Sequence, residues 1–454
     1  MSTTTSSPVE MGDAPLEQVP ATTAEEDSLV SKYWVNGFYK YEVEDVEDVE
    51  MYKPGGLDPV YLEEFIGEYE VVHKLGHGPN ATVWLCRDHE QNRWCALKIV
   101  AASHSSEDKG ELLLAKVLGD DGVNSAAAHH IMLPDKHFWH QGPNVRHLVL
   151  VLPLLGPSLR KWLEHNQHKL EAKKKLCRQM TKAIGFLQSQ GVCHGDFMIQ
   201  NVLMEIRNLD HLTEDEILAV FDDGINIAGI QTPSGGDPPP NAPSYAVVPA
   251  MWPTYEDEDN IILEDIVVAG FGEAFVPDGK DSHGVARAFS APEVTFLSAP
   301  GLPSDIWSLG AAIMDVLGTM PFSGNHALFW ESSIPDRVTR GRYRYKQSRW
   351  QDYILMEMVK PDDKPELGVF SLTDSQRNDP AHPAAYESVA ALEEARNKAI
   401  QRGGYTHPIS AALERRDDEE VSEKDLHDET VLLTDLALKI FRYEPTERIR
   451  TADI

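Results

Sequence analysis

A two-lobed α+β fold, a small antiparallel β lobe followed by a larger α-helical lobe, is what this 454-residue chain predicts. Three observations carry that expectation. Alternating apolar residues mark three strands near the start: E-Y-E-V-V-H-K-L-G, A-T-V-W-L-C-R-D and R-W-C-A-L-K-I-V. Helical spacing then takes over. Leu176, Met180, Ala183, Ile184 and Leu187 share one face within Leu170–Gln190, as do Ile306, Leu309, Ile313 and Leu317 within Asp305–Leu317. Between the helices stands a polar motif, Cys193–Asn201 (C-H-G-D-F-M-I-Q-N), in order with other short motifs before and after it.

Taken along the chain, residues 1–50 form an acidic arm rich in Ser, Thr, Pro and Glu, expected to be disordered. Its last ten residues, Y-E-V-E-D-V-E-D-V-E, are expected to be an extended, solvated segment. The small lobe, with a leader, spans 51–155. Its three strands are joined by a glycine turn and a D-H-E-Q-N-R hairpin, then followed by a short helix, Glu111–Leu118, and a buried strand, Leu148–Leu152, which Gly156 ends. The large lobe spans 156–454 and holds two inserts, at about 207–260 and about 360–425. The first contains P-S-G-G-D-P-P-P-N-A-P and Y-E-D-E-D and reads as a long loop. The second is charged and partly helical, most clearly over Ala390–Ile400. Lys173-Lys174-Lys175 reads as a solvated helix face. Ser304 is placed to cap the helix of Asp305–Leu317. The basic-aromatic stretch Arg337–Trp350 reads as surface of the large lobe, with docking of an acidic or phosphorylated partner as its functional alternative. The chain stops at Thr451-Ala452-Asp453-Ile454, where a final helix is expected to begin.

Composition narrows the function classes. Asp+Glu number 73 against Lys+Arg 41, a formal net charge of -32. That argues against nucleic acid as the main partner, because a phosphate backbone needs a cationic surface. It suits basic protein partners, or solubility alone. The 4 cysteines, Cys86, Cys95, Cys177 and Cys193, form no C-x-x-C pair, so no zinc or redox motif is indicated and a reducing compartment is expected. The N-terminus lacks a basic and apolar leader, and the longest apolar run, Leu148–Leu155, is too short to cross a bilayer. A cytoplasmic or nuclear monomer without membrane contact is expected.

The motifs carry the chemistry. Gly76 and Gly78 stand in a turn between strands, where a backbone without Cβ lets a phosphate approach. Lys98 alternates with buried Leu97 and Ile99 and must reach a counter-charge; Glu111 on the next helix is best placed. Asp196 and Asn201 follow in the spacing H-x-D-x-x-x-x-N, then Gly270-Phe271-Gly272, Ala291-Pro292-Glu293 and S-D-I-W-S-L-G (Ser304–Gly310). This order resembles the signature set of protein kinases.

The resemblance implies the two-lobed protein-kinase fold and a set of roles. Leu75, Gly76, Gly78, Val83 and Lys98, with Pro153 and Leu155 at the hinge, would bind ATP. Pro153 has no N–H and would offer only its carbonyl, Leu155 supplying the N–H. Lys98 and Glu111 would pair over the α- and β-phosphates, Asp196 would accept the substrate hydroxyl proton, and Asn201 would hold a metal ion. Glu293 and Arg448 would form a buried ion pair, and Asp305 would pin the catalytic loop. The departures are specific. Gly270 stands where the metal-binding Asp is expected, Met198 where a Lys is, and Gly195 where an Arg is. Ala286 and Ser290 replace a Thr and an Arg before A-P-E. Glu273 is the nearest carboxylate in sequence and the candidate to replace the missing metal ligand.

Within that set the chain is similar to the SR-protein kinases in their divergent fungal form. Tyr52–Val60 (Y-K-P-G-G-L-D-P-V) resembles their Y-x-x-G-G-Y-H-P-V leader, and K-L-G-H-G-P-N-A-T-V-W-L resembles K-L-G-x-G-x-x-S-T-V-W-L. An insert before D-F-G is also a trait of that family. The resemblance implies an ATP- and Mg²⁺-dependent Ser/Thr kinase acting on basic, Arg/Ser-rich proteins, with metal binding weakened or lost. The alternatives are a pseudokinase that binds nucleotide or serves as a scaffold, and a small-molecule phosphotransferase. The last shares H-G-D-x-x-x-x-N but lacks A-P-E and the S-D-I-W-S-L-G helix.

Overall fold

The computed structural model describes residues 34–36, 46–253, 261–277, 300–317 and 445–454 apart from short gaps, with scattered positions at 291–294 and 432–441. The chain opens with β1 (Trp34–Asn36), then β2 (Phe65–Ile66), β3 (Tyr69–Gly78), β4 (Ala81–Asp88) and β5 (Arg93–Val100). Next come α1 (Gly110–Ala126), β6 (Lys136–Gly142) and β7 (Val145–Pro153). Strands β2–β7 make one antiparallel sheet in the order β2-β3-β4-β5-β7-β6. Trp84, Cys86, Leu97, Ile99, Val149 and Val151 fill one face. Val72, Leu85 and Trp94 are buried on the other. Burial on both faces explains why V-W-L-C reads as a continuous apolar run rather than a strict alternation.

The three expected strands are present. α1 runs past the expected end at Leu118, but Gly119 takes a left-handed backbone (φ 61°) and kinks it there. β7 starts three residues before the expected Leu148 because it pairs along its length with β6, a strand whose K-H-F-W-H-Q-G sequence carries no clear alternation.

The large lobe follows with α2 (Leu159–His165), α3 (Leu170–Ser189), β8 (Val202–Ile206), α4 (Glu214–Leu218), β9 (Ile227–Gln231), β10 (Tyr245–Val247), β11 (Ile262–Val268) and α5 (Leu302–Val316). β8 and β11 form a ribbon, and α3 packs on α5. The core joins the predicted apolar faces: Leu176, Met180, Ala183 and Leu187 of α3 meet Ile306, Trp307, Leu309 and Ile313 of α5. α5 passes so close to Ile440 that a Cβ on Gly310 would stand 2.3 Å from its Cγ2. Ser304 does not cap α5. The helix begins at Leu302, with Pro303 in its first turn, where a missing N–H costs nothing. Ser304 lies inside and its hydroxyl accepts from the Gly301 N–H (3.1 Å). Lys173 is buried rather than solvated, while Lys174 and Lys175 pair with Glu171 (3.0 Å) and Asp265 (2.7 Å).

Two segments differ from expectation for one reason: they cover the outer face of the small lobe. The first insert is no bare loop. It leaves the large lobe after β8, forms α4, β9 and β10, and returns at β11. On the way Leu209, Ile217 and Phe221 pack on Val72, Leu85 and Trp94. The acidic arm joins it, since β1 pairs with β9 and β9 with β10. Within the expected solvated unit, Glu47 is buried and ion-paired with buried Lys74, and the Tyr52 hydroxyl also donates to it. A buried charge persists only with partners like these. Residues 1–33, Arg337–Trp350, the insert at 360–425 with Ala390–Ile400, and the Y-E-D-E-D run lie outside the described residues.

The insert is anchored by polar contacts. The Trp94 N–H donates to Asp210 Oδ1 (2.8 Å), its indole N–H to the Leu212 carbonyl (3.2 Å), and Ala250 N–H to the Lys74 carbonyl (2.7 Å). Asp210→Ala is expected to leave the buried Trp94 N–H without its acceptor, at a cost of about 1–2 kcal/mol. Limited proteolysis should then cut residues 207–253 sooner than in the parent; equal cutting rates would count against this anchor.

The leader is held by charge. Asp58 is buried between His140 (Nε2 to Oδ2, 3.1 Å) and His147 (Nε2 to Oδ1, 3.2 Å). Both imidazoles stand within ion-pair range of the buried carboxylate. His147 donates its Nδ1–H to the Val100 carbonyl (3.0 Å). Burial pulls the imidazole down, but Asp58 and this carbonyl outweigh it and hold His147 above its ordinary pKa. Burial likewise pushes Asp58 up, and the two histidines hold it below the usual carboxylate range. The raised His147 therefore stabilises fully below about pH 6.5, and its share is lost as pH rises through the folded value. The depressed Asp58 contributes above about pH 3.9 and is lost in acid. The thermal midpoint should fall as pH rises above about 6.5 and through the folded His147 value, and Asp58→Asn should flatten that slope. An unchanged slope in the variant would remove Asp58 as its source.

Candidate functional site

The cleft is built from the small-lobe sheet above and the Cys193–Asn201 loop below. β3 and β4 close as a hairpin in which Gly76 faces Val83 and Gly78 faces Ala81. A Cβ on either glycine would meet nothing within 4 Å, so the fold itself does not require glycine there. Val83 pairs across to Lys98, and Ala96 to Leu152. Buried Ala96, Leu152 and Ala269, with half-buried Leu75, Val83, Leu155 and Leu203, form one apolar cluster. The predicted Leu75, Val83 and Leu155 are thus brought together. Pro153 ends β7 opposite Cys95, and past it the Gly156 N–H bonds to the Met204 carbonyl (2.9 Å).

Lys98 Nζ donates to Glu111 Oε1 (2.5 Å), with the Glu111 side chain 6% exposed. The pair predicted from spacing is formed. The residue that sets it is one the motifs do not include. Gly110 starts α1 with φ 58°, and a Cβ there would stand 3.3 Å from both the Gly272 Cα and the Phe271 carbonyl. Glycine at 110 lets the helix that carries Glu111 lie directly on residues 271–272. The signal available was a glycine immediately before the acid that pairs with Lys98.

Below the cleft, Asp305 on α5 holds the loop as expected: Oδ2 accepts from His194 N–H (2.6 Å) and Oδ1 from Gly195 N–H (3.2 Å). Burial pushes the Asp305 carboxyl up to about 7, against the pull of these two N–H groups. His194 Nε2–H donates to the Ala269 carbonyl (2.9 Å) and Nδ1 accepts from the Asp196 N–H (3.3 Å); burial holds the ring neutral. Its ring lies 4.7 Å from that of Phe271. Cys193 and Phe275 exchange backbone hydrogen bonds (2.9 and 3.1 Å). These ties bring Gly195 (φ 80°) so near Glu273 that a Cβ would stand 2.3 Å from its carbonyl oxygen. The glycine at this position is therefore a packing requirement of the loop. Met198 packs against the large-lobe core.

At the centre, Asn201 Nδ2 donates to the Asp196 carbonyl (2.7 Å) and to Asp196 Oδ2 (3.0 Å). The Asn201 carbonyl accepts from Ala269 N–H (2.8 Å). Gly270 has φ 74°, and a Cβ there would fall 2.6 Å from both Cγ and Oδ1 of Asn201. Asn201 thus occupies the ground that a side chain at 270 would need.

A nucleotide fits what is present: apolar walls for a base and Lys98 for phosphate. A divalent ion would find no carboxylate at residue 270. Mg²⁺ keeps several waters and takes one or two protein carboxylates together with substrate phosphates, and here the Asp196 carboxylate accepts from the Asn201 amide at Oδ2. Among the described residues no three His, Cys, Asp or Glu side chains gather to hold a metal by themselves. Arg448 is buried, donating to the Pro303 carbonyl (2.9 Å) and lying over the Trp307 ring. Its expected partner Glu293 lies outside the described residues, as do Ala286 and Ser290.

Comparison with known proteins agrees with this geometry. Residues 69–219 match the family described as protein kinase domain. The chain carries a protein kinase domain. That domain is 35% identical over 170 residues to the serine/threonine-protein kinase spk-1 of Caenorhabditis elegans, covering 36% of this chain and 17% of that protein. It is 32% identical over 180 residues to the serine/threonine-protein kinase SKY1 of Saccharomyces cerevisiae, covering 37% and 24%. The serine/threonine-protein kinase SRPK of Physarum polycephalum matches at 30% identity over 287 residues, covering 60% and 65%. The match spans about a quarter or less of the first two relatives' own length. These relatives, at 30–35% identity, are all named serine/threonine-protein kinases, one of them SRPK.

Proposed function

We propose that this kinase domain is a nucleotide-binding Ser/Thr kinase of the SR-protein-kinase type that phosphorylates basic, Arg/Ser-rich proteins at a low rate. The observation that carries the reading is the joint placement of the Lys98–Glu111 pair and the Asp305-pinned Asp196 on the two walls of one cleft. Leu75, Val83 and Leu155 enclose the base, Lys98 meets phosphate, and Asp196 takes the hydroxyl proton. The formal charge of -32 supports a basic substrate. The low rate follows from Gly270 and Met198, which provide neither a metal carboxylate nor a cation for the transferring phosphoryl group; the deficit is on the order of 10²-fold. The four cysteines are free thiols, which fits the cytoplasm or nucleus. Among the described residues no helix is long and apolar enough to cross a membrane.

The test is transfer from γ-labelled ATP to an Arg/Ser-repeat peptide by the full chain. Slow labelling that Asp196→Asn abolishes is expected. Labelling no faster than the Asp196→Asn background would overturn the transfer and favour the second reading, a nucleotide-binding scaffold, which the occupation of the 270 seat by Asn201 supports.

A further inference from the structure

We infer that the cleft binds a nucleotide free of divalent cation, its phosphates held by Lys98 and its base by the apolar walls. This rests on the reading of the cleft as a nucleotide site and adds the form in which the ligand enters.

The geometry points there in three steps. First, the loop and the 269–275 segment are already tied together through protein groups alone: Asn201 carbonyl to Ala269 N–H, His194 to the Ala269 carbonyl, Cys193 to Phe275, and the His194–Phe271 ring contact. No bridging ion is needed to assemble the centre. Second, the residue that would bring a carboxylate to a metal has no side chain. Asp196 accepts from Asn201, and position 270 brings a backbone with no carboxylate up against Asn201. Third, Lys98 keeps its ammonium within 3.9 Å of where a Cβ on Gly272 would stand, so it sits over the 270–272 backbone itself. A cation in that place serves phosphate directly.

The effect of Mg²⁺ then has a definite sign. In solution Mg²⁺ binds the nucleotide's phosphates and lowers their charge. With no carboxylate at residue 270 to recapture the ion, the complex loses attraction to Lys98.

The experiment is calorimetric titration of the full chain with ADP and with ATP, in excess EDTA and in excess MgCl₂. Affinities equal within about threefold, or tighter in EDTA, are expected. Lys98→Met should weaken both by more than about tenfold, and the wild-type titrations decide the metal question even if that variant folds poorly. Binding that appears only with MgCl₂ overturns this inference and leaves the proposed kinase reading standing. Binding in EDTA without any peptide labelling overturns the proposed transfer and leaves this inference standing. No binding in either buffer overturns both.

Discussion

Gly270→Asp is expected to turn a protein indifferent to Mg²⁺ into one that responds to it, and to weaken it when Mg²⁺ is absent. Aspartate tolerates the left-handed backbone that residue 270 adopts (φ 74°) better than most residues. Its Cβ, however, arrives 2.6 Å from Cγ and Oδ1 of Asn201. The Asn201 side chain must turn away and give up its two bonds to Asp196. One of these is to a carboxylate, so the loss is about 2 kcal/mol in EDTA. With the new carboxylate beside Asp196 and the displaced amide oxygen, a divalent ion gains oxygen ligands it lacked. Above its dissociation constant, each tenfold increase in Mg²⁺ should then add about 1.4 kcal/mol of stability. Phosphoryl transfer should rise by about 10²-fold if Met198 is not limiting. A midpoint as flat in Mg²⁺ as the wild type's, together with unchanged labelling, would show that residue 270 is not what sets metal use.

That prediction marks how far the sequence could be read. The absence of a carboxylate at 270 was legible, because the motif order fixes which residue belongs there. That Asn201 has closed over the position was not legible; it depends on a side-chain rotamer and on a missing Cβ, neither of which leaves a trace in residue spacing. The same division runs through the fold. β3, β4, β5 and α3 were legible because each buries a periodic face against its own lobe. β9 and β10 were not: their short strands sit among Pro and Gly, and what orders them is a distant surface, the Val72–Leu85–Trp94 face. Glu47 looked solvated for the same reason, since its partner Lys74 belongs to β3. Lys98–Glu111 could be read because a lysine among buried neighbours has few choices and the next helix offered an acid. The Gly110–Gly272 contact that seats that acid could not, since a glycine at a helix start is ordinarily a cap or a turn.

Asp305→Ala is expected to be the most damaging single change at the site, although residue 305 touches no ligand. Its two oxygens are the acceptors for the His194 and Gly195 N–H groups, and all three residues are buried. Removing both acceptors leaves two enclosed donors at about 1–3 kcal/mol each, roughly 4 kcal/mol together. The damage has a pH signature. Burial pushes the wild-type carboxyl up to about 7, far above the usual value near 3.9. A raised carboxyl binds its proton more tightly in the folded state, so the Asp305 contribution falls as pH rises between about 4 and 7 and is level above that. Alanine has no such slope. The gap between the proteins should be widest near about pH 4 and narrow toward neutrality. The position of the fault is also fixed. Amide exchange should quicken first at His194 and Gly195, before α3 or α5 is affected, because only the loop has lost its anchor. If those two amides kept their protection in the variant, Asp305 would not be what holds Asp196 in the cleft, and the pinning of the loop would have to come from the Cys193–Phe275 backbone pair instead.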